Sequence, residues 1–518
     1  MDQAFLSDGL CNGFQLLPKD ADIKPAEMHN YFSTTNPDAV DKVEEVLRSE
    51  ISAGNYVPVP HKPTIVSALG AVPKPDSDEL RLIHDCSMPP KLGVNSYIDI
   101  KKQKFQTVDD AVRVIKRGYY LAKVDLRHAY RSVPVHPSNY KALGLKWRFK
   151  GSLLYSYFVD TRLPFGGRSA PGIFHRLTQA VRRMMERRGF VVIVYLDDFL
   201  VVGTTKEECQ QGYDTLCNLL IDLGFQLSSN KLVPPTQELV FLGVLFNTVS
   251  LTLSLPAQKL AELKGVIASY CERKRATKRQ LQQLAGRLNW ACKVVFGGRT
   301  FLRRVLDLMN TLPKPASQCR LTLEFHRDIA WWREFLEVFN GQYDFHDFRP
   351  VTTLQTDACS EAVGAFFEGD WFYSNFLVDY KDLFKLHINY KEAICVVLAA
   401  LRWAPFWRNK TIHVFCDNTA AVAMLNKGTT RSPIMMQFLR QLFWLSATFN
   451  FRIKAFHVPG RENILADHIS RIHAAVHLTA FLEQYQCHVP FPVSLVPAMN
   501  HMSLQCYYFL LGKYAFFS

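Results

Sequence analysis

The segment FVVIVYLDDFLVVG, residues 190–203, constrains this chain more than any other feature. Two β-branched runs flank a tight polar tip, the pattern of a buried hairpin. The run is too short to span a bilayer and carries two aspartates, Asp197 and Asp198, at its centre. No stretch of 18 apolar residues occurs, and the N-terminus, MDQAFLSDGL, lacks a basic segment leading into an apolar one. A soluble, intracellular protein without a membrane partner is expected. The hydrophobic fraction of 48% excludes a largely disordered chain, and 518 residues allow about three domains. Twelve cysteines are scattered singly, without metal-binding spacing, as suits reduced thiols.

A third aspartate belongs with the hairpin tip. Asp125 follows the strand-like stretch YLAKV. One carboxylate at a strand end beside two at a hairpin tip provides oxygen ligands on rigid elements. That arrangement suits nucleotidyl transfer, which needs two divalent cations about 4 Å apart.

The blocks KVDLRHAYRSVPVHP, LPFGGRSAPGIF, VYLDDFLVVG, LGFQLSSNKL and FLGVLFN follow the order of the palm motifs of reverse transcriptases. Upstream, ALGAVPKPDSDELRLIHD resembles the fingers segment of that family, so the resemblance covers residues 58–255. It implies a metal-binding triad of Asp125, Asp197 and Asp198, with Lys74 and Arg81 on the triphosphate of a dNTP. Tyr130 falls at the family's aromatic gate, where a ring would collide with a ribose 2′-OH. Phe165 stands where retroviral enzymes usually have Gln, so packing or stacking is expected there. Gly166 beside it would let the backbone approach substrate closely. Lys231 matches a lysine proposed to protonate the leaving group, and it reads equally well as a surface lysine.

The formal charge of +14 is uneven: residues 1–350 carry +11, residues 351–475 carry +3, and the last 43 are balanced. Such a balance favours a polyanionic partner. Residues 1–40 read as polar and irregular, with a short helix over 38–49. The stretches 241–247 and 251–255 look like a second hairpin. Residues 256–340 turn helical; Thr277 and Gln280 fit a capping box, and Leu281, Leu284 and Leu288 line the face that follows. Lys278, Arg279, Arg287, Arg299, Arg303 and Arg304 lie where a thumb and connection would be. They are expected to follow a duplex through phosphate contacts. The run ERKRATKR also reads as a nuclear-localisation patch.

A second β-rich to helical cycle begins at Val351. Asp357 ends a strand in TLQTDA, Glu392 opens an apolar helix, Asp417 ends IHVFCD, and Asp467 lies in a helix after a Pro-Gly turn. TDA, YKEA, CDNTAAV and HVPGRENILADHISR resemble the Asp-Glu-Asp-Asp set of the RNase H fold over residues 351–471. The resemblance implies that these four carboxylates hold two metal ions for hydrolysis of RNA in an RNA–DNA hybrid. It assigns His457 to proton transfer or product release. Cys359-Ser-Glu departs from the family's pattern and is expected to alter the strand turn rather than the metal site.

The expected architecture is α+β and multidomain: a right-hand polymerase (fingers, palm, thumb) followed by an RNase H-like α/β domain. Its segments are an extension (1–57), fingers and palm (58–255), thumb or connection (256–345), nuclease (346–473) and an unassigned tail (474–518). Expected partners are an RNA template, a DNA primer, an RNA–DNA hybrid and dNTPs, with Mg2+, two per site, or Mn2+. Other proteins of the same element are further candidates. RLIHDCSMP, LPFGGRSAP and HVPGREN most resemble DIRS-type retrotransposons. Without a protease, integrase or recombinase signature, the chain looks like a segment of such a polyprotein. The alternative is an element-derived protein that binds hybrids without catalysis.

Overall fold

The computed structural model describes residues 2–485, apart from 19, 74–78, 100–102, 296, 339–341 and 345–348. The chain forms two compact units, Met1–Thr252 and Leu253–Ser518.

In the first unit, β1 (Ala68–Pro73) and β2 (Leu80–Asp85) form an antiparallel hairpin. The central sheet contains β3 (Tyr120–Arg127), β4 (Val191–Tyr195) and β5 (Asp198–Gly203), with β5 antiparallel to both neighbours. Helix α1 (Ala170–Glu186) and helix α2 (Lys206–Asp222) cover this sheet. Phe174, Leu177 and Val181 of α1 share one core with Val124, Val194 and Val201. The β-branched runs form strands because both their faces find apolar cover. Leu196 closes the hairpin with φ +54°. A separate strand, Ser156–Asp160, runs antiparallel to Tyr56–Val59.

Two sequence expectations change here. The first forty residues are not irregular: Asp2–Asn12 is helical, and Phe14, Leu16 and Leu17 are buried in the core under α1. The run 241–247 is not one strand. It turns at Leu242-Gly243, both at positive φ, and pairs Glu238–Phe241 with Val244–Asn247.

In the second unit, helix α3 (Lys278–Ala291) starts with the expected capping box, Thr277 and Gln280 each receiving a backbone N–H from the other. Helix α4 (Leu323–Val338) follows. A five-stranded sheet comprises β6 (Val351–Ala358), β7 (Ala362–Phe367), β8 (Asp370–Asn375), β9 (Thr411–Cys416) and β10 (Arg452–His457). Their spatial order is β8-β7-β6-β9-β10; the first three are antiparallel, and β9 and β10 continue in parallel. Parallel pairing of β6 and β9 requires a crossover, supplied by helix α5 (Ile388–Trp403), most of whose residues are buried. Helix α6 (Pro433–Phe449) precedes β10, and helix α7 (Ile464–Ser470) crosses β7. Helix α8 (Ala475–Tyr485) lies within the stretch that composition sets apart, yet its Phe481 packs at 5.0 Å against Trp371. Among the described residues no helix is long and apolar enough to cross a membrane.

Candidate active sites

In the first unit, strand register brings the aspartates together. Asp125 and Asp198 are direct cross-strand partners, and Asp197 occupies the tip. The tip is tied to β3 by the Leu126 N–H, which donates to the Asp197 carbonyl at 3.2 Å. Asp125 is buried at 4% exposure, and the Ser228 N–H holds its carbonyl at 2.9 Å. Lys231 Nζ donates to both Asp125 oxygens, at 3.1 and 3.3 Å. Lys123 Nζ stands 2.8 Å from Asp198 Oδ1 as an ion pair without hydrogen-bond alignment. Burial, reinforced by Asp198, pushes Asp125 up to about 6 against the pull of Lys231. Asp197 is raised by the same causes, burial and then Asp198, with Lys231 and Arg81 opposing. Crowded oxygen donors that resist ionising together fit a divalent cation, which would relieve the repulsion.

Beside this cluster is a stack of side chains. The Tyr130 ring lies 5.2 Å from Phe165 and 5.4 Å, edge-on, from Phe174. The exposed Arg81 places its guanidinium 5.2 Å from the Phe165 ring. The loop carrying Phe165 is clamped from two sides. The His84 N–H donates to the Phe165 carbonyl at 2.9 Å, and Asn95 Nδ2 donates to the Gly166 carbonyl at 2.9 Å. Gly166 has φ +133°, and a Cβ there would lie 2.1 Å from the His84 carbonyl oxygen, so only glycine fits. Lys74 lies outside the described residues.

The second unit gathers its four carboxylates at the end of β6. Asp357 and Glu392 are 3% and 2% exposed; Asp417 and Asp467 are half-buried. Glu392 Oε1 accepts the Ala358 N–H at 3.1 Å, and its Oε2 faces Cys416 Sγ at 3.6 Å. Ligand atoms of Glu392, Cys416 and Asp417 lie within 4.8 Å of one another. Ser470 Oγ donates to Asp357 at 2.5 Å. Burial, then Asp357 and Asp417, push Glu392 up to about 9. Burial drives Asp357 to about 7, with Asp417 and Asp467 adding to it and Ser470 opposing. Each carboxylate thus feels its neighbours, and this donor set also fits divalent cations. His457 is exposed at the end of β10. Gly364 pairs with Asp357 in register, and a Cβ there would meet the Ser470 nitrogen at 2.4 Å; glycine lets α7 lie flat on β7. Cys359 shapes the following turn, accepting the Ala362 N–H at 3.3 Å.

Of the basic residues expected to follow a duplex, Arg279, Arg287 and Arg299 are exposed. Gly286 is exposed on the same helix, with open space where a Cβ would be. Lys278 and Arg304 depart from the expectation. Lys278 Nζ donates to the Leu312 carbonyl at 2.7 Å. Arg304 bonds Asp328 at 2.9 Å and pairs with Glu324, while Arg440 grips Asp328 at 3.0 Å. Asp328 is 1% exposed, and a buried carboxylate needs such partners, so Arg304 is an internal brace. Arg303 pairs with Asp307 at 2.5 Å.

Sequence reading missed Lys123, Asn95, Ser470 and Cys416. Lys123, Cys416 and Ser470 lie inside the quoted motifs, whereas Asn95 acts through contacts no local pattern displays.

Residues 72–246 match the family described as reverse transcriptase (RNA-dependent DNA polymerase). The genome polyprotein of Petunia vein clearing virus is 21% identical over 382 residues, 69% of this chain and 16% of that protein. The Gag-Pol polyprotein of gibbon ape leukemia virus is 27% identical over 167 residues, 32% of this chain and 9% of that protein. The chain therefore spans only a small part of these relatives. Among solved structures, the foamy viral protease-reverse transcriptase in complex with dsDNA has a TM-score of 0.54 at 16% identity, covering 86% of this chain and 87% of that one. The same viral protein in complex with an RNA/DNA hybrid also gives 0.54, at 15% identity, covering 85% of this chain and 56% of that one. The fold is that of a right-hand polymerase followed by an RNase H-like α/β domain. Within it, residues 72–246 form a reverse transcriptase domain of the kind carried by retroelement and viral polyproteins.

Proposed function

We propose that this chain is an RNA-directed DNA polymerase joined to a ribonuclease H that degrades RNA in RNA–DNA hybrids, encoded by a retroelement of DIRS type. The observation that carries the reading is the pairing of Asp125 with Asp198 beside Asp197 in one unit, and the Asp357–Glu392–Asp417–Asp467 group in the other. Two carboxylate clusters on separate rigid scaffolds suit two phosphodiester reactions, one with a primer hydroxyl and one with water as nucleophile. Reverse transcriptases use divalent metal ions, and Mg2+ is the one oxygen ligands favour; when bound it would activate the nucleophile and stabilise charge on the leaving oxygen. Asp125, Asp197 and Asp198 would hold it in the palm, and the other four carboxylates in the nuclease.

The remaining roles fall to the chain's own side chains. Arg81 would grip the triphosphate, and the Tyr130 ring, packed at a tilt against Phe165, would exclude a 2′-OH. Lys231 would supply a proton or charge to the departing pyrophosphate. The exposed face of α3, with Arg279, Arg287 and the bare Gly286, would lie along a primer–template duplex. That the fold neighbours are held with dsDNA and with an RNA/DNA hybrid supports these partners.

The test is extension of a primed RNA template with dNTPs or rNTPs, beside cleavage of a labelled hybrid. Asp197→Asn should abolish extension and leave cleavage intact, and Asp417→Asn should do the reverse. Extension that prefers rNTPs would remove the reverse-transcriptase reading. No Asp197-dependent extension with either substrate would leave a non-catalytic binding protein.

A further inference from the structure

Outside both carboxylate clusters as assigned, one pair of side chains has no role in the proposed reactions. His468 on α7 and His477 on α8 turn their Nδ1 atoms toward each other at 3.1 Å, with ring centroids 5.4 Å apart. Both rings are half-buried, and a carboxylate oxygen of Asp467 lies within 4.8 Å of both nitrogens. Two nitrogen ligands on a tetrahedral Zn2+, with bonds of 2.0–2.1 Å, stand roughly 3.3 Å apart. The histidine separation is therefore already a chelating one, and only the carboxylate has to close, by at most about 1.5 Å.

The placement does not depend on the histidines themselves. Helix α8 is held by its apolar face, where Phe481 joins Trp371, Ile469 and Ile472 in a small core. Burial of that face brings His477 to His468. Asp467 faces both ways: its charge acts on Asp357 within the carboxylate group, while Arg471 binds its Oδ1 at 2.8 Å.

We propose that His468, His477 and Asp467 form a binding site for a borderline transition metal of the Zn2+ class, and that occupancy restrains the nuclease by withdrawing Asp467 from the catalytic group. Imidazole nitrogen binds Zn2+ and Co2+ well and Mg2+ poorly, so the histidine pair discriminates between the inhibitory and the working cation. Three protein ligands leave one position for water, as in open zinc sites. The inhibitory half rests on the proposed nuclease activity; the binding half does not.

The full chain, stripped of metal, is titrated with Zn2+ by equilibrium dialysis and with Co2+ by visible absorption, in wild type, His477→Gln and His477→Cys. The expected result is one Zn2+ equivalent more in wild type than in His477→Gln, beyond whatever the carboxylate clusters take up in both, with the affinity of that equivalent weakened at least about tenfold in His477→Gln and restored by the ligating cysteine. Equal binding by wild type and His477→Gln overturns the site. Hybrid cleavage in Mg2+ with added Zn2+ is followed on the same preparations, with primer extension as internal control. Zn2+ should stop cleavage by wild type and spare that by His477→Gln, with extension unaffected in both. Equal inhibition of the two overturns the regulatory role. Absence of cleavage without Zn2+ removes the nuclease reading while the binding measurements still decide the site.

Discussion

Replacing Arg131 with methionine removes one partner of a deeply buried ion pair in the first unit. Asp160 is 0% exposed and Arg131 7%. Arg131 Nη1 donates to both Asp160 oxygens, at 2.8 and 3.1 Å, and Nε donates to Glu50 at 2.9 Å. Burial alone would raise Asp160, but Arg131, with His84, more than offsets it and holds the carboxyl below its ordinary value. Removing the strong member of such a pair leaves Asp160 with only the His84 imidazole, at 3.4 Å, in low dielectric, and costs about 3–5 kcal/mol. For a unit of this size each kcal/mol lowers the melting temperature by about 2–4 °C, so Arg131→Met should melt roughly 10 °C or more below wild type by scanning calorimetry. Adding Asp160→Asn removes the stranded charge and should recover part of the loss. Burial is the largest influence on Asp160, so without Arg131 its folded pKa should rise above the unfolded one, and stability then falls as pH rises through that value. The deficit of the single variant should therefore shrink on acidification toward about pH 5. Arg131 directly follows Tyr130, and Asp160 leads into the Phe165 loop, so selection of dNTP over rNTP should weaken as well. A single variant that melts within about 2 °C of wild type, with the same deficit in the double variant, would refute the reasoning.

Tyr130→Val should raise rNTP incorporation relative to dNTP by about tenfold or more, since the ring that meets a 2′-OH is gone; an unchanged ratio of kcat/KM values places the gate elsewhere. Glu392 and Asp357, held at about 9 and about 7, have folded values above their unfolded ones. The stability they contribute is complete at acid pH and is lost as pH rises through those values, while a cation must displace their protons. The rise in Tm of the second unit on adding Mg2+ should thus be larger near pH 8.5 than near pH 6.5 (approximate values chosen around these groups), and an equal rise at both would contradict the shared-field account. Gly364→Val should push α7 off β7 and cut hybrid cleavage at least about tenfold with extension intact, since about 1 Å of misplacement at a site can cost 10²-fold; full cleavage would show that α7 tolerates the displacement.

Much of the fold was legible because local pattern and tertiary need agree. The β-branched runs around Leu196 require cover on both faces, and the capping box at Thr277 is complete within four residues. The carboxylates were legible because each sits in a local motif, on a strand, at a strand end or at a tip for Asp125, Asp197, Asp198, Asp357 and Asp417 and in a helix for Glu392 and Asp467. What escaped depends on distant partners. Phe14, Leu16 and Leu17 form a short apolar run without a periodic pattern, and its place is set only when the Phe14 backbone bonds Pro134. Arg304 reads as one of a basic cluster until Asp328, on another helix, claims it. Arg131 and Asp160 carry no mutual signature across 29 positions.

The lysines of the palm make its cluster different in kind from that of the nuclease. Lys231 and Lys123 already supply positive charge to Asp125 and Asp198, whereas Glu392 and Asp357 meet their mutual repulsion by holding protons. The first unit's cluster is balanced by lysine charge, and the second unit's by protons on its buried carboxylates. Were Asp125 to hold a cation, Lys231, whose side chain is 61% exposed, would be released from it and could turn toward an incoming polyphosphate. Metal entry and anion capture then become two halves of one exchange, and a chelator should unsettle the second unit before the first.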